Sequence, residues 1–251
     1  MEKITSRKNP LITHIRKIAS DRGYRRECGE FLGDGVKLLE EAIKWNAPLS
    51  VVVVTQGISL PELPETVRLV EVPEDVMASV SPMKAPQGAL FLCRMEGNVL
   101  PERLDGNRYL VLDGLQDPGN VGTIWRTADA LGADGLLLVN GCADAWNHKT
   151  VRATMGACFR MSAYELTTKE LTEILERSEL MLYSTALRED TVDLRDADLN
   201  RCAVVIGSEG KGVSDELLSM SQKTMKIPMR QRCESLNAAA AAAVVLWEMA
   251  R

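Results

Sequence analysis

The second half of the chain constrains the fold most, because apolar runs alternate there with helical patterns. Tyr109–Asp113 is a continuous apolar run that ends at a turn, and Gly135–Val139 and Cys202–Ile206 have the same character. Runs of this kind are typical of strands buried on both faces, and buried strands separated by helices form parallel sheets. The pattern therefore predicts an α/β domain whose parallel sheet is covered by helices on both sides.

The other elements predicted in this half continue the alternation. Two further short strands are expected at residues 180–184 and 225–228. A helix follows the turn Gln116–Asn120 and ends at Leu131. The remaining predicted helices occupy residues 150–158, 169–177, 215–221 and 236–249.

The first part of the chain predicts a second, smaller α/β unit. Loop-forming residues without periodicity between residues 96 and 106 mark a boundary, so the predicted domains are 1–96 and 107–251. The elements expected in the smaller domain are a strand at 30–35, a helix at Val36–Trp45, and strands at Val51–Val54, Val67–Val72 and Ala89–Cys93.

The net charge conceals an uneven distribution. The 251 residues are 45% hydrophobic, which excludes a disordered chain, while a net charge of −5 and 4% aromatic residues do not suggest a nucleic-acid binder. Residues 1–28, however, carry eight Lys or Arg against three acids, a net +5 that leaves −10 for the rest. This cluster predicts either a polyanion contact or the solvated face of a helix that starts near Pro10 and buries Leu11, Ile15 and Ile18.

Cysteine and histidine usage argues against a metal centre. The six cysteines include no CxxC pair, and the two histidines are His14 and His148, so zinc-site spacing is absent. No secretion signal and no apolar run near the ~20 residues of a membrane span are present. These features predict a cytoplasmic protein with reduced thiols, no metal and no membrane partner.

The first loop whose side chains could take part in a reaction runs from Asp117 to Arg126. Asn120 is a candidate N-cap for the helix that follows. At 100° per residue, Arg126 points away from the predicted apolar face, and an ordinary solvated arginine is the favoured interpretation. That apolar face comprises Val121, Ile124, Trp125, Ala128 and Leu131.

A second loop, Ile206–Val213, directly follows a predicted buried strand. Its glycines permit close backbone approach to a ligand at the carboxyl end of the strand. The loop matches neither a Walker A motif nor GxGxxG, which argues against nucleotide-phosphate and dinucleotide folds. Glu209 lies in the middle of this loop. A functional role for its carboxylate is favoured over a purely structural role in the turn.

A third loop, Ile227–Asn237, leads into six consecutive alanines. Ser235 is the predicted N-cap of the last helix. Leu236, Ala240, Ala243 and Trp247 share one helical face, which predicts a buried helix packed closely against a loop or a second subunit.

The order and spacing of these loops resemble the SpoU (TrmH) family of RNA ribose 2′-O-methyltransferases, within the SPOUT superfamily. The family's first and second motifs resemble Asn120–Arg126 and Gly207–Gly212. Its third motif resembles Ile227–Met229 followed by Ser235–Asn237. The resemblance extends over residues 107–251.

Residues 1–95 resemble the family's L30e-like substrate-binding domain, through residues 4–10 and 31–35. That arrangement is commoner in enzymes of ribosomal RNA than of transfer RNA. The resemblance implies a deep trefoil knot in the C-terminal parallel sheet, S-adenosylmethionine as cofactor, and a homodimer with sites at the subunit interface. It also implies methylation of a ribose 2′-hydroxyl, with ribosomal RNA as the expected partner.

The resemblance also implies roles for individual residues. Arg126 is expected to act as a base or as a cation that stabilises the developing oxyanion; the second role, or a mixture, is favoured because a guanidinium is a reluctant base. Glu209 is expected to hold Arg126 or to fix its loop. The implied catalytic residues are Arg126, Asn120, Glu209, Ser235 and Asn237, and the implied cofactor-binding residues are Gly207, Ile227 and Leu236, with Met229 and the loop after Ser184 nearby.

The sequence is compatible with two alternatives. A protein that retains the knotted fold but binds RNA or the ribosome without turnover would share the same pattern. A base methyltransferase from another branch of the superfamily would do so as well.

Overall fold

A computed structural model of the chain describes residues 1–95, 99–186, 188, 191–230 and 235–251. The chain forms two compact units. The first contains the residues up to position 97 together with Trp146–Arg160, and the second contains residues 98–145 and 161–251.

The elements are numbered in chain order. The strands are β1 (Glu2–Lys3), β2 (Glu30–Asp34), β3 (Leu49–Val54), β4 (Arg68–Glu71), β5 (Ala89–Arg94), β6 (Arg108–Asp113), β7 (Gly135–Val139), β8 (Ser162–Glu165), β9 (Met181–Thr185), β10 (Val192–Asp193), β11 (Cys202–Gly207) and β12 (Lys223–Lys226). The α-helices are α1 (Pro10–Ser20), α2 (Arg22–Cys28), α3 (Val36–Lys44), α4 (Glu74–Ala78), α5 (Pro118–Ala130), α6 (His148–Thr154), α7 (Thr168–Ser178), α8 (Asp215–Met220) and α9 (Ala238–Ala250).

The first unit is built on a mixed sheet. Its strand order is β1-β4-β3-β5-β2, with β5 antiparallel to both of its neighbours. Asn9 caps α1 by accepting from the Leu11 N–H at 2.9 Å, and Pro10 occupies the first turn. The amphipathic helix predicted near Pro10 is confirmed, although Ile12 joins Ile15 and Ile18 on its buried face and Leu11 is only partly buried.

Trp146–Arg160 belongs to the first unit, whereas the predicted domain 107–251 assigned it to the second. The reason is apolar packing. The ring centroids of Trp146 and Phe159 lie 4.5 and 6.2 Å from the ring centroid of Phe31. Val151 is fully buried in the same cluster. The helix expected at residues 150–158 is α6, which starts and ends earlier.

The second unit contains the predicted parallel sheet, and this fold class is confirmed. In the described part of the chain its order is β10-β12-β9-β11-β6-β7-β8, and every pair is parallel. α7 and α8 cover the face that carries Val111 and Val205. α5 and α9 pack together, and α9 also contacts β11. β8 and β10 are sheet strands that the sequence patterns did not reveal.

The last helix begins later than predicted and turns a different face inward. Its N-cap is Asn237 rather than Ser235. Trp247, expected to be buried, is 63% exposed. An alanine-rich helix lacks the strong apolar periodicity that would identify its inner side, so packing decides it. The buried side chains are Ala238, Ala239, Ala242, Val245, Leu246 and Met249.

Among the described residues, no helix combines the length and the apolar character that crossing a membrane requires.

Trp125→Phe tests the packing of α5. Trp125 is fully buried, and its Nε1 donates to the Met161 carbonyl at 3.0 Å. The substitution leaves this acceptor without its donor, so the free energy of unfolding should fall by about 1–3 kcal/mol in urea denaturation. Val99→Ala, at a residue that is 87% exposed, should change it by less than about 0.5 kcal/mol. Equal losses of unfolding free energy in the two variants would contradict the conclusion that the buried Trp125 stabilises the packing of α5.

Candidate active site

Three loops meet at the carboxyl edge of the parallel sheet; of the third, residues 227–230 and 235–237 are described, and residues 231–234 lie outside the described residues. Because β6, β9 and β11 are parallel neighbours, their carboxyl ends lie at the same edge, where open α/β sheets bind ligands. The segment after β6 leads into α5, the segment after β11 is the glycine loop, and the segment after β12 leads towards α9. The structure therefore brings the three predicted motifs to one place.

The glycine loop folds back on the end of β11. The Ser208 N–H donates to the Gly212 carbonyl at 3.1 Å, and the Gly212 N–H donates to the Ser208 carbonyl at 2.9 Å. A Cβ on Gly207 would lie only 2.1–2.4 Å from backbone atoms of Gly212 and Val213. Gly207 is thus required by close backbone approach.

A cavity of about 330 Å³ lies beside this loop. It is within the size range of small-molecule sites, and its walls are mainly apolar. Gly207, Ile227 and Leu236, the three predicted cofactor-binding residues, all line it, and so do Met229 and Ser235. The other lining residues are Thr185, Ala186, Ile206, Ser208, Glu209, Gly212, Val213, Met225, Lys226, Ala238 and Ala241.

One polar chain joins the three motifs. The Asn120 Nδ2 donates to Glu209 Oε1, and the Asn237 Nδ2 donates to Asn120 Oδ1 at 3.2 Å. Asn237 Oδ1 accepts from the N–H groups of Ala239 and Ala240 at 2.9 and 3.3 Å. The cap at the start of α9 therefore also orients the Asn237 amide towards Asn120.

Asn120 is not the cap of its helix, contrary to the prediction. Asp117 is the N-cap of α5 and accepts from the Asn120 N–H at 2.8 Å, with Pro118 in the first turn. Proline fits the first helical position, which places the cap one residue before it. The Asn120 side chain is thereby available for Glu209 and Asn237.

Arg126 and Ser235 lie apart from this chain of hydrogen bonds. Arg126 is exposed on α5, as predicted from the helical pattern, and stands six residues, about 9 Å along the axis, beyond Asn120. Within the described part of the chain it makes no hydrogen bond or ion pair with the other candidate residues. Ser235 is exposed at the cavity and does not cap α9.

Sequence reasoning missed Asp113 and Asn140 at the same edge. Asp113, the last residue of β6, is 4% exposed, and its Oδ1 accepts from the Asn140 Nδ2 at 2.7 Å. The signal that could have identified Asp113 is an acidic residue at the end of an apolar run that predicts a buried strand. The nearby Cys142 thiol donates to the Leu112 carbonyl at 3.1 Å, and burial raises its pKa to about 11, so it stays protonated at neutral pH.

A parallel sheet with a ligand-sized cavity and an amide–carboxylate chain at its carboxyl edge defines this unit as an α/β protein of the SPOUT methyltransferase type. Residues 107–247 match the SpoU rRNA Methylase family, and the chain belongs to that family. Residues 9–90 match the MRM3-like substrate binding domain.

The similarity to individual relatives extends over the whole chain. The chain is 30% identical to the 23S rRNA (guanosine(2553)-2′-O)-methyltransferase RlmP of Bacillus subtilis, over 99% of both proteins. It is 30% identical to the 23S rRNA (uridine(2479)-2′-O)-methyltransferase of Streptomyces viridochromogenes, over 99% of this chain and 92% of that protein. The AdoMet-bound rRNA methyltransferase of Sinorhizobium meliloti superposes with a TM-score of 0.87 at 28% identity, over 99% of this chain and 97% of that one.

Gly207→Ala tests the close approach in the glycine loop. The added Cβ would push the Gly212–Val213 backbone away from β11 and deform the cavity wall. Overpacking of this kind costs about 1–3 kcal/mol, so S-adenosylmethionine should bind about tenfold or more weakly in titration calorimetry. Gly210→Ala is the matched control, because a Cβ there meets nothing within 4 Å; its affinity should stay within about twofold. Comparable affinities in both variants would contradict the steric argument.

Proposed function

We propose that this protein transfers a methyl group from S-adenosylmethionine to a ribose 2′-hydroxyl of ribosomal RNA. The observation that carries the proposal is the Glu209–Asn120–Asn237 chain of hydrogen bonds, which joins all three motifs beside the cavity. The names of the relatives support the reaction and favour ribosomal over transfer RNA. Their targets differ, a guanosine in one and a uridine in the other, so the family does not define the nucleotide.

The cavity suits S-adenosylmethionine, which when bound supplies a methyl group on a sulfonium. Its volume of about 330 Å³ and apolar walls fit an adenosyl group held through shape and backbone polar groups. In this proposal Gly207, Ile227 and Leu236 hold the cofactor. A trefoil knot formed by the cofactor-binding segments is part of the same proposal.

The chain must also promote loss of the proton from a 2′-hydroxyl, which is otherwise a poor nucleophile. Arg126 is exposed and can reach a substrate, and its guanidinium can orient the ribose phosphate and stabilise the developing negative charge. Asn120, Ser235 and Asn237 would orient the ribose. Glu209 is bonded to Asn120, which favours its role in fixing the loop over one in holding Arg126.

The first unit would bind the RNA. Several of its N-terminal basic residues are engaged within the unit: Arg7 pairs with Asp75 at 2.8 Å, and Arg25 is buried and donates to the Ile18 carbonyl. Lys8 and Lys17 remain exposed. The N-terminal segment therefore combines an amphipathic helix with exposed basic side chains. RNA would bind through these side chains, and its affinity should fall as the salt concentration rises.

A homodimer is also part of the proposal. Ala240, Val244 and Trp247 recur at helical spacing on the exposed side of α9 and form an apolar stripe. Burying that stripe against a second copy would explain why an apolar helix leaves a tryptophan at the surface. We further propose a cytoplasmic location.

Methyl transfer to RNA tests the activity directly. Radiolabelled S-adenosylmethionine is incubated with the protein and with ribosomal or transfer RNA, and the product is digested with alkali. Labelled, alkali-resistant dinucleotides from ribosomal RNA are expected, because a 2′-O-methyl group blocks cleavage of the adjacent phosphodiester. Label in alkali-sensitive nucleotides would indicate base methylation, and an absence of label would indicate a non-catalytic binding protein.

Arg126→Lys should abolish most turnover. Lysine keeps the charge but loses the planar fork that can bind a phosphate or oxyanion through two N–H groups, so kcat should fall by about 100-fold or more. Affinity for S-adenosylmethionine should be unchanged, because Arg126 does not line the cavity. Arg103→Lys, at another exposed arginine of the same unit, should leave kcat within about twofold. Near-normal turnover of Arg126→Lys would contradict the assignment.

Trp247→Glu should convert the dimer to a monomer. A carboxylate in the apolar stripe would be desolvated without a partner at the interface, which is strongly unfavourable. Light scattering is expected to give twice the chain mass for the unmodified protein and the single-chain mass for the variant. Val99→Glu, at a residue that is 87% exposed, should leave the dimer intact. A monomeric but active unmodified protein would contradict the proposal.

A further inference from the structure

Asp113 stands directly beside Gly207 in the sheet. The two residues are register partners in the parallel ladder between β6 and β11. The Asp113 carboxylate is buried and has a donor on each oxygen: Oδ2 accepts from the Ser214 N–H at 2.6 Å, and Oδ1 accepts from the Asn140 Nδ2 at 2.7 Å. A buried carboxylate that accepts two such bonds is held in one orientation.

The Ser214 N–H marks the point where the glycine loop returns to the sheet. The loop leaves β11 at Gly207 and comes back over it at Gly212 and Val213, which line the cavity. Ser214 then caps the start of α8 without a side-chain capping bond. The Asp113 carboxylate therefore fastens the backbone of this return one residue beyond the cavity wall, and the Asn140 Nδ2 also donates to the Ser214 hydroxyl oxygen at 3.3 Å.

We propose that Asp113 is a positioning residue for the cofactor cavity, acting through Ser214. Its carboxylate holds the returning backbone against Gly207 and so maintains the wall formed by Gly212 and Val213. The inference deepens the proposed function and rests on it, because the ligand whose affinity responds is S-adenosylmethionine. Asp113 itself does not line the cavity.

Asn140 fixes the second oxygen and supplies a direct test. It lies in the left-handed region with φ 54°, which asparagine and aspartate tolerate better than most residues, and its Oδ1 accepts from the Thr168 hydroxyl at 3.3 Å. Since both partners of Asp113 are donors, Asp113→Asn would turn an NH₂ group towards a donor. A reciprocal exchange, Asp113→Asn with Asn140→Asp, restores a donor–acceptor pair between positions 113 and 140 and leaves the amide oxygen at position 113 for the Ser214 N–H.

Titration calorimetry with S-adenosylmethionine and hydrogen exchange of the ligand-free protein test the inference. Asp113→Asn should bind the cofactor about tenfold or more weakly, as expected for a lost hydrogen bond to a charged group, and the Ser214 amide should exchange faster. In methyl transfer, KM for the cofactor should rise while kcat stays near its original value. The reciprocal double variant should recover most of the affinity and the slow exchange. Trp125→Phe, destabilised elsewhere in the unit, should keep its cofactor affinity.

Three results would overturn the proposal: unchanged affinity in Asp113→Asn, a folded double variant that does not recover, or an equal loss of affinity in Trp125→Phe. If Asp113→Asn alone does not fold, the double variant decides, because recovered binding supports the proposal and lost binding in a folded protein overturns it. Failure of the unmodified protein to bind S-adenosylmethionine would instead refute the proposed function, and the exchange of the Ser214 amide would still test the contact.

Discussion

The parallel pairing of β6 with β11 is the constraint on which the rest of the second unit depends. Its register places Asp113 beside Gly207. The end of β6, which leads towards the first motif, therefore lies beside the end of β11, which leads into the glycine loop. The loop can fold back over β11 only because Gly207 has no Cβ. The cavity is a consequence of that return, since Gly207, Gly212 and Val213 all contribute to its wall.

The helix termini connect this backbone arrangement to the candidate chemistry. Asp117 caps α5 and leaves the Asn120 side chain available, while Asn237 caps α9 with its oxygen and reaches Asn120 with its nitrogen. Because α5 and α9 pack together, the two caps are neighbours in space. The same hydrogen bonds that start two helices thus orient the polar chain that ends at Glu209.

Much of the second unit could be predicted from the sequence, and the exceptions have physical causes. The strands at β6, β7 and β11 were visible because fully buried strands have continuous apolar runs. The cap of α5 was misplaced because Asp117 and Asn120 are both good capping residues, and Pro118 decides between them. The inner face of α9 was misjudged because its six consecutive alanines place the same small apolar side chain on every side of the helix, so the sequence has no periodicity to read there. Trp146–Arg160 packs with the first unit through aromatic partners that are distant in sequence, which local patterns do not reveal.

The sequence by itself determined the alternation that produces a parallel sheet, the three loops, and the residue types that could do chemistry. Only the tertiary structure decided which of these residues meet: Asn120 bonds Glu209 and Asn237 across 89 and 117 residues, and Ser214 bonds Asp113 across 101. Local periodicity describes which side of an element is apolar, but it has no information on strand order. Strand order and register place residues so far apart in the chain within hydrogen-bonding distance, and they emerge only when the whole core is packed.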